Sequence, residues 1–580
     1  MSRRRRAAKR GRDEPTSPLP EPLAAAARPG ADWPWLAAFL LLAFLVGCVE
    51  IEDPDIWWHL RTGQLIYERG EVPRHDWFTY TNPESAWIDL HWGFQLIAAA
   101  LWSLGGAAAL VSVKALLGAA TLAIAVFSSR GGAAWRRTVA CWLPALLIFS
   151  GRNQVRPEML SFLFLALELA IVAQLRQRPR RAWWLPAIQT LWINVHGLFV
   201  LGLVVWGCFL ADAVVRKWRN DRRPSRAQEP RDDFRLWAGV TLAMGAAALV
   251  NPYGYRGALF PFTLLRRIQG VDRGFYRQFA EEFDGLAEFI GAHGLLAGLT
   301  NVTIAMTLVL AALGAASFVR LAWRGKFDLY RALAFAAFGY LAWQSSRNSA
   351  LFAIAGGWVV AQNFAELSPA EPPTASPRRF QFGAVALAAS LGLLIASMPT
   401  DLFWTLARSE SPRRFGFGEA PNVFGHESAR FLGRQGMPRN VFAVDQGEAA
   451  VYIFHDGPER RVFADGRLEV NSREVLERYQ KIRVQMVRRD PKLLESLRQS
   501  APPGANGHRE TPALLIDVGA QEWAGVAKDQ RFRPVHFDGV ALVFLTSEQA
   551  ERMRLPAIAI DEEMLALARL RAMNRRVEDD

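Results

Sequence analysis

Between residues 33 and 398, long apolar runs alternate with short polar turns, and the turns are of two kinds. One kind is basic: Arg130 with Arg136 and Arg137, the run from Arg176 through Arg178 to Arg181, Arg216 through Arg222 to Arg235, and Arg320 through Arg324 to Arg331. The other kind carries carboxylates, histidines and asparagines. The positive-inside rule assigns the basic turns to the cytoplasm, which leaves the second kind outside. Residues 1–32 hold eight Lys or Arg among prolines, with no hydrophobic period, and read as a disordered cytoplasmic leader. From there the alternation predicts a mainly α, polytopic transmembrane bundle of about 11 spans over residues 33–398. Single spans are expected at Trp33 to Val49, Ala107 to Phe127, Leu236 to Val250, 294 to 319 and Phe380 to Met398. Three hairpins turn at Gly151 to Glu158, at Trp192 to Gly197 and at Ser345 to Asn348. Several of these stretches are only ~12 to 15 residues, short of the ~20 that cross a typical bilayer, and are expected to line a cavity or a thinned region.

Two outer connections are longer than ordinary loops. Residues 50–92 hold nine acidic residues against three Arg, and residues 251–293 contain Arg266-Arg267, which breaks the charge rule. Gly93 to Leu104 reads as a short re-entrant or interfacial helix, separated from the following span by Gly105-Gly106. Beyond residue 398 the pattern changes. Val441 to Val444, Ala450 to Phe454, Val462 to Ala464, Leu514 to Val518 and Ala541 to Leu545 are short β-prone runs. Ser472 to Gln499 reads as amphipathic helix, so residues 399–580 are expected to form an extracytoplasmic α/β domain.

Composition explains why the mean hydropathy of +0.06 understates this pattern: 51% of the 580 residues are hydrophobic, and the charge is concentrated in the turns. The net charge of +13 is accounted for by those turns, so no nucleic-acid partner is expected. Cys48, Cys141 and Cys208 all lie in apolar segments and offer no disulfide framework. The run Leu45 to Cys48 looks like a lipoprotein cleavage box, but a polytopic chain downstream favours an uncleaved signal anchor.

The outer turns gather the chemistry. They present Asp53, Asp55, His59 and Arg61; Asp89, His91 and Gln95; Arg152, Asn153, Arg156 and Glu158; Asn194 and His196; Asn251 and Tyr253; Glu281 and Glu282; and Arg347 and Asn348. Each alone has a structural explanation, such as Asp55 capping a helix or the arginines anchoring at headgroups. Together they suit transfer from a phosphate-activated donor. A carboxylate takes the proton of an attacking hydroxyl, and guanidiniums bind the leaving phosphate. His and Asp could also hold a divalent cation, although no close ligand spacing marks a zinc site.

The run Asp53 to Gly63, followed by Pro73, Asp76, Phe78, Thr79 to Thr81, Trp87 and His91-Trp92, resembles the first extracytoplasmic loop of bacterial membrane proteins related to the GT-C glycosyltransferases. Arg156-Pro157-Glu158, Asn194 to Gly197, Asn251 to Gly254, Arg347-Asn348 and Phe463 to Arg467 fit the same lineage in order. The resemblance implies a bacterial inner-membrane enzyme using a polyprenyl-phosphate sugar donor, with Asp55 or Asp53 as its acid; Asp55 is favoured as base. One departure is Trp92, which stands where an acidic residue is more usual. Membrane lipids are the other expected partners, with Arg152, Arg156, Glu158, Arg347, His59, Arg61, His91, Asn194 and His196 as substrate-binding candidates.

Two rival classes share the span pattern: a transporter or flippase of a lipid-linked substrate, and a scaffold whose α/β domain binds a partner. Polar residues gathered at the turns of one side, rather than at the midplane, favour the enzyme over the transporter. Within the spans, Lys114 and Glu168 stand where lipid should be. Mutual pairing is the expected arrangement, with contact between Lys114 and the lipid phosphate as its alternative.

Overall fold

The apolar segments fold into helices because their backbone groups find partners only within the segment once water is excluded. The structure, a computed structural model, describes residues 32–222, 232–269, 273–276, 285–368, 377–407, 413–504, 507–561 and 564–570. The expected leader lies outside the described residues except for Asp32. In chain order the first nine α-helices are α1 (Trp33–Leu45), α2 (Asp55–Arg69), α3 (Trp92–Ser129), α4 (Trp135–Ser150), α5 (Glu158–Val172), α6 (Trp184–Ile193), α7 (Val200–Arg222), α8 (Phe234–Ala247) and α9 (Tyr255–Gln269). Further apolar helices run over Val302–Trp323, Leu329–Gln344, Ser349–Leu367 and Pro377–Ser397.

Among the described residues, four helical stretches are long and apolar enough to cross a membrane: Trp92–Ser129, Gly197–Arg219, Val302–Trp323 and Ser346–Leu367. Shorter apolar helices stand at Trp33–Leu45, Phe234–Ala247 and Phe382–Ser397. The helix Ser349–Leu367 is the centre of the bundle, buried on nearly every side and packed on α4, Val302–Trp323 and Leu329–Gln344. A Cβ at Gly357 would lie 2.8 Å from that of Ala145, so glycine there permits the close crossing with α4. The break expected at Gly105-Gly106 is present. Gly106 has φ 57° and ψ −143°, open to glycine but costly for other residues, and it divides α3 into two pieces.

The C-terminal region carries a five-stranded sheet of order β2-β1-β3-β5-β4, with β1 (Asn440–Ala443), β2 (Arg461–Val462), β3 (Ala513–Asp517), β4 (Phe532–Phe537) and β5 (Ala541–Thr546). β1 is parallel to β2 and β3, whereas β5 is antiparallel to both β3 and β4. One sequence expectation fails here, and one strand was not anticipated. Ala450 to Phe454 belongs to the helix Gln446–Asp456, where Ala449 to Ile453 are all buried, and a run buried on every side has no period to separate helix from strand. β4 escaped notice because Pro534 interrupts it; proline is tolerated at this edge, beside a register shift between Pro534 and His536.

The first outer loop is stitched to the sheet edge. Tyr80 N donates to Val462 O and Val462 N to Phe78 O, at 3.0 and 2.9 Å. Thr81 Oγ1 donates to Phe463 O, and both Asn82 Nδ2 and Ser85 Oγ donate to Val470 O. Loop and sheet thus form one outer layer.

Candidate active site

The helix α2 begins at Asp55 because Asp53, two residues earlier, accepts from Asp55 N at 3.0 Å through Oδ1. Asp53 rather than Asp55 serves the helix start, which corrects the capping role expected of Asp55. The other Asp53 oxygen accepts a hydrogen bond from Arg156 Nε, and Arg156 reaches Asp55 Oδ2 at 3.5 Å. One guanidinium therefore bridges two carboxylates of unequal exposure: the Asp53 side chain is 4% exposed and that of Asp55 36%. Trp58 Nε1 donates to Asp55 Oδ1 at 3.2 Å, fixing the carboxylate.

The sheet region roofs this acid. A Cβ on Gly466 would sit 3.1 Å from Asp55 Oδ1, and one on Gly447 would sit 3.1 Å from Pro54 Cβ. Behind the roof, fully buried Arg467 binds Asp465 through Nε and Nη2 and Asp76 through Nη2 at 2.7 Å, with its guanidinium 4.3 Å from the Trp87 ring centroid. The flanking carboxylates outweigh burial and hold Arg467 above its ordinary range. This trio joins the first loop to a residue pair almost four hundred positions away. In sequence, Asp76, Asp465 and Arg467 stood out only as part of the resemblance.

A second cluster lies in the turn after α4. Glu158 accepts from Arg347 Nε at 2.5 Å and approaches Arg152 Nη2 at 3.4 Å. The Arg347 side chain is 35% exposed, so its partner orients it without sealing it. A third group is a row of imidazoles: the His59 and His91 ring centroids are 5.6 Å apart, and those of His91 and His196 5.3 Å. Gln95 Nε2 meets His59 Nδ1 at 3.3 Å, and Ser161 Oγ meets His196 Nδ1 at 2.8 Å. Burial, followed by the neighbouring imidazoles and Arg467, holds His59 well below the usual histidine range. For His91, burial pulls downward, but the hydrogen bond and charge of Asp89 prevail and raise it.

Other sequence candidates stand elsewhere. Arg61 Nε donates to Gly457 O at 2.6 Å, so this guanidinium braces the sheet region. Asn194 accepts from Trp92 Nε1 and donates to Thr190 O and Val250 O, tying α6 to its neighbours. Asn251 forms the turn before α9, accepting from Tyr253 N. Arg267, of the pair that breaks the charge rule, donates to Asn471 O at 2.6 Å and to Tyr276 Oη, clasping the second long loop to the outer layer. Glu281 and Glu282 lie outside the described residues.

The expected Lys114–Glu168 pair is absent. Lys114 Nζ donates to Val49 O at 2.8 Å, whereas both Glu168 oxygens, beside Gly202 and Gln189, are buried without a hydrogen-bond partner among the described residues. Val49 lies past the end of α1, in the segment that bridges antiparallel to Phe415, and the lysine gives its carbonyl a donor. Arg413, which no sequence signal marked, does the same for α4, donating to Ser150 O and Gly151 O at 2.6 Å while holding Glu52.

Among the described residues no group of three or more His, Cys, Asp or Glu is arranged to hold a metal ion. Asp53 and Asp55 both face Arg156, so this donor set does not fit the divalent cation that the sequence allowed.

No protein-family model and no curated protein sequence matches the chain. Solved structures do. An archaeal oligosaccharyltransferase, AglB from Archaeoglobus fulgidus, in complex with an inhibitory peptide and a dolichol-phosphate, aligns over 89% of this chain and 74% of its own, at TM-score 0.51 and 11% identity. The apo form of the Archaeoglobus fulgidus oligosaccharyltransferase gives the same score and identity, with 75% of its chain covered. ArnT from Cupriavidus metallidurans bound to undecaprenyl phosphate aligns over 88% of this chain and 97% of its own, at TM-score 0.37 and 14% identity. The chain is an integral membrane protein, and its resemblance to the GT-C glycosyltransferases, read first from the Asp53 to Gly63 motif, holds at the level of the fold.

Proposed function

We propose that the protein is a GT-C-type glycosyltransferase of the bacterial inner membrane, moving a sugar from a polyprenyl-phosphate donor to an extracytoplasmic acceptor. In this reading about eleven spans occupy residues 33–398, the N-terminus is cytoplasmic, and residues 399–580 lie outside. The observation that supports it most directly is the Asp53–Arg156–Asp55 bridge, in which the accessible member is Asp55.

Asp55 accepts the proton of the acceptor hydroxyl as its oxygen bonds to the anomeric carbon. The anomeric carbon–oxygen bond to phosphate breaks, and its electron pair leaves with the lipid phosphate. Arg347 and Arg156 offer planar donors for the developing charge, which a lysine would not match in geometry. Glu158 and Asp53 hold these two arginines in place. The chemistry assigned to these side chains uses no metal ligand.

Turnover of a panel of radiolabelled polyprenyl-phosphate sugars by the purified protein in lipid nanodiscs tests the assignment. Asp55→Asn keeps the volume and removes the base, and is expected to lower turnover ~100-fold or more with normal membrane insertion. Arg347→Lys is expected to weaken donor use although its charge is kept. Full activity in both Asp55→Asn and Asp53→Asn would overturn the mechanism.

A further inference from the structure

The outer face carries a cavity of about 390 Å³, apart from the Asp55 site, lined by Glu71, Arg74, His75, Trp77, Pro252 and Tyr253. Its volume falls in the ~300–1,000 Å³ range of small-molecule sites. One wall is the segment Pro73 to Trp77 of the first loop, and the other is the turn between α8 and α9. Both walls are braced. Trp87 N donates to Arg74 O, Asp76 N donates to Ser85 O, and His75 pairs with Ala86 as an antiparallel bridge. The Tyr253 hydroxyl closes the gap below by donating to Pro73 O at 2.7 Å.

Two features identify the ligand class. The lining mixes flat apolar rings, Trp77 and Tyr253, with planar polar groups, Arg74, Glu71 and His75, whose side chains reach solvent. Saccharides present that same alternation of C–H faces and hydroxyl pairs; a guanidinium donates to such pairs, and a carboxylate accepts from them. A peptide binding in extended form would need an open backbone edge. The backbone of this wall is already paired at Arg74 and Asp76, which disfavours a peptide.

A row of packed rings runs from the cavity wall to the acid. Trp77 meets Trp87 edge-on at 6.1 Å between centroids, Trp87 lies 6.4 Å from Trp58, and Trp58 donates to Asp55. Resting on the proposed glycosyltransferase reading, we infer that this cavity is a distal subsite for a neutral, hydroxyl-rich saccharide, so that the acceptor is a glycan of several rings rather than a single sugar or a peptide.

Binding is separable from catalysis. Quenching of tryptophan fluorescence by maltotetraose, chitotetraose and mannotetraose is measured on the full chain in nanodiscs. Saturable binding of at least one is expected, weakened tenfold or more in Arg74→Ala and in Glu71→Ala, whose exposed side chains leave folding intact. Trp77→Ala is expected to weaken it similarly and Trp77→Phe to retain most of it. Asp55→Asn is expected to bind as tightly as the wild type. Binding by none of the three glycans, or binding unchanged in Arg74→Ala and Glu71→Ala, overturns the subsite. Glycan binding lost in those variants but with no lipid-donor turnover in the wild type would leave the subsite standing and sink the transferase reading. Turnover with equal KM for one-ring and four-ring acceptors would do the reverse.

Discussion

Arg467 and Glu168 are both sealed from solvent, one in the outer layer and one in the helical bundle, and they are treated in opposite ways. Arg467 has two carboxylates from distant parts of the chain and aromatic faces around it. Among the described residues Glu168 has no hydrogen-bond partner for either oxygen. Removing one member of a buried ion pair leaves the other charge uncompensated, so the surroundings of Arg467 depend on their charges as those of Glu168 do not. Around Glu168 the bundle is held by apolar packing on the helix Ser349–Leu367; its ion pairs, Arg331 with Glu366 and Arg176 with Asp212, stand elsewhere, and Lys114 and Arg413 donate to single backbone carbonyls.

The sharpest way to break this contrast is Arg467→Ala. It leaves Asp465 and Asp76 facing each other without a cation, and a loss of ~3–5 kcal/mol is expected for the joint between first loop and sheet. Limited proteolysis of the full chain in nanodiscs reads this directly: cleavage within 73–90 and 463–472 should accelerate while the bundle helices stay protected. Unchanged protection would show that the backbone stitch at Phe78, Tyr80 and Val462 holds the layer without the ion trio.

A smaller effect is expected from pH, again confined to the outer layer. His455 Nε2 lies 2.9 Å from His426 Nδ1, whose other nitrogen meets Glu419 at 3.1 Å. Burial, then His426 and Arg430, push His455 down from 6.5 to about 4. Its folded form therefore resists a proton that the unfolded chain accepts, and stability falls as pH drops from about 6.5 towards about 4. His455→Phe should flatten that part of the curve for the outer layer. An identical pH slope in the variant would remove His455 from the account.

The contrast also marks what was legible in the sequence. Helix positions in the bundle could be read because each apolar segment must hide its own backbone. The break at Gly106 was visible for the same reason. The motif from Asp53 to Arg61 announced an acid, but not that Arg156 divides its two carboxylates into one held and one accessible. That division depends on a contact across about a hundred residues. Arg467 with Asp76, and Arg413 with Ser150, span hundreds more. In the sheet, β1, β3 and β5 were readable as apolar runs, whereas Ala450 to Phe454 took the helical state that the burial of Ala450 to Ile453 left open. Convergence of the outer turns was anticipated as a list of residues; the structure separates them into an acid pair, an arginine–glutamate cluster, an imidazole row and several braces.

The smallest expected effect concerns the two charges that the sequence would have paired. Lys114 spends its donor on Val49 O, and Glu168 lies against Gly202 and Gln189, so the two share no partner. A double-mutant cycle of Lys114→Met and Glu168→Gln should therefore give losses that add within ~0.5 kcal/mol, the behaviour of independent sites. Glu168→Gln keeps the shape and supplies an amide donor to a place where the Gln189 Oε1 acceptor is also without a partner. That single change should be close to neutral, whereas Lys114→Met strands the buried Val49 carbonyl beyond α1 and should cost ~1–3 kcal/mol. Thermal unfolding in nanodiscs measures all three variants. A coupling above ~1 kcal/mol would restore the pairing between the two residues and erase the difference between Glu168 and Arg467.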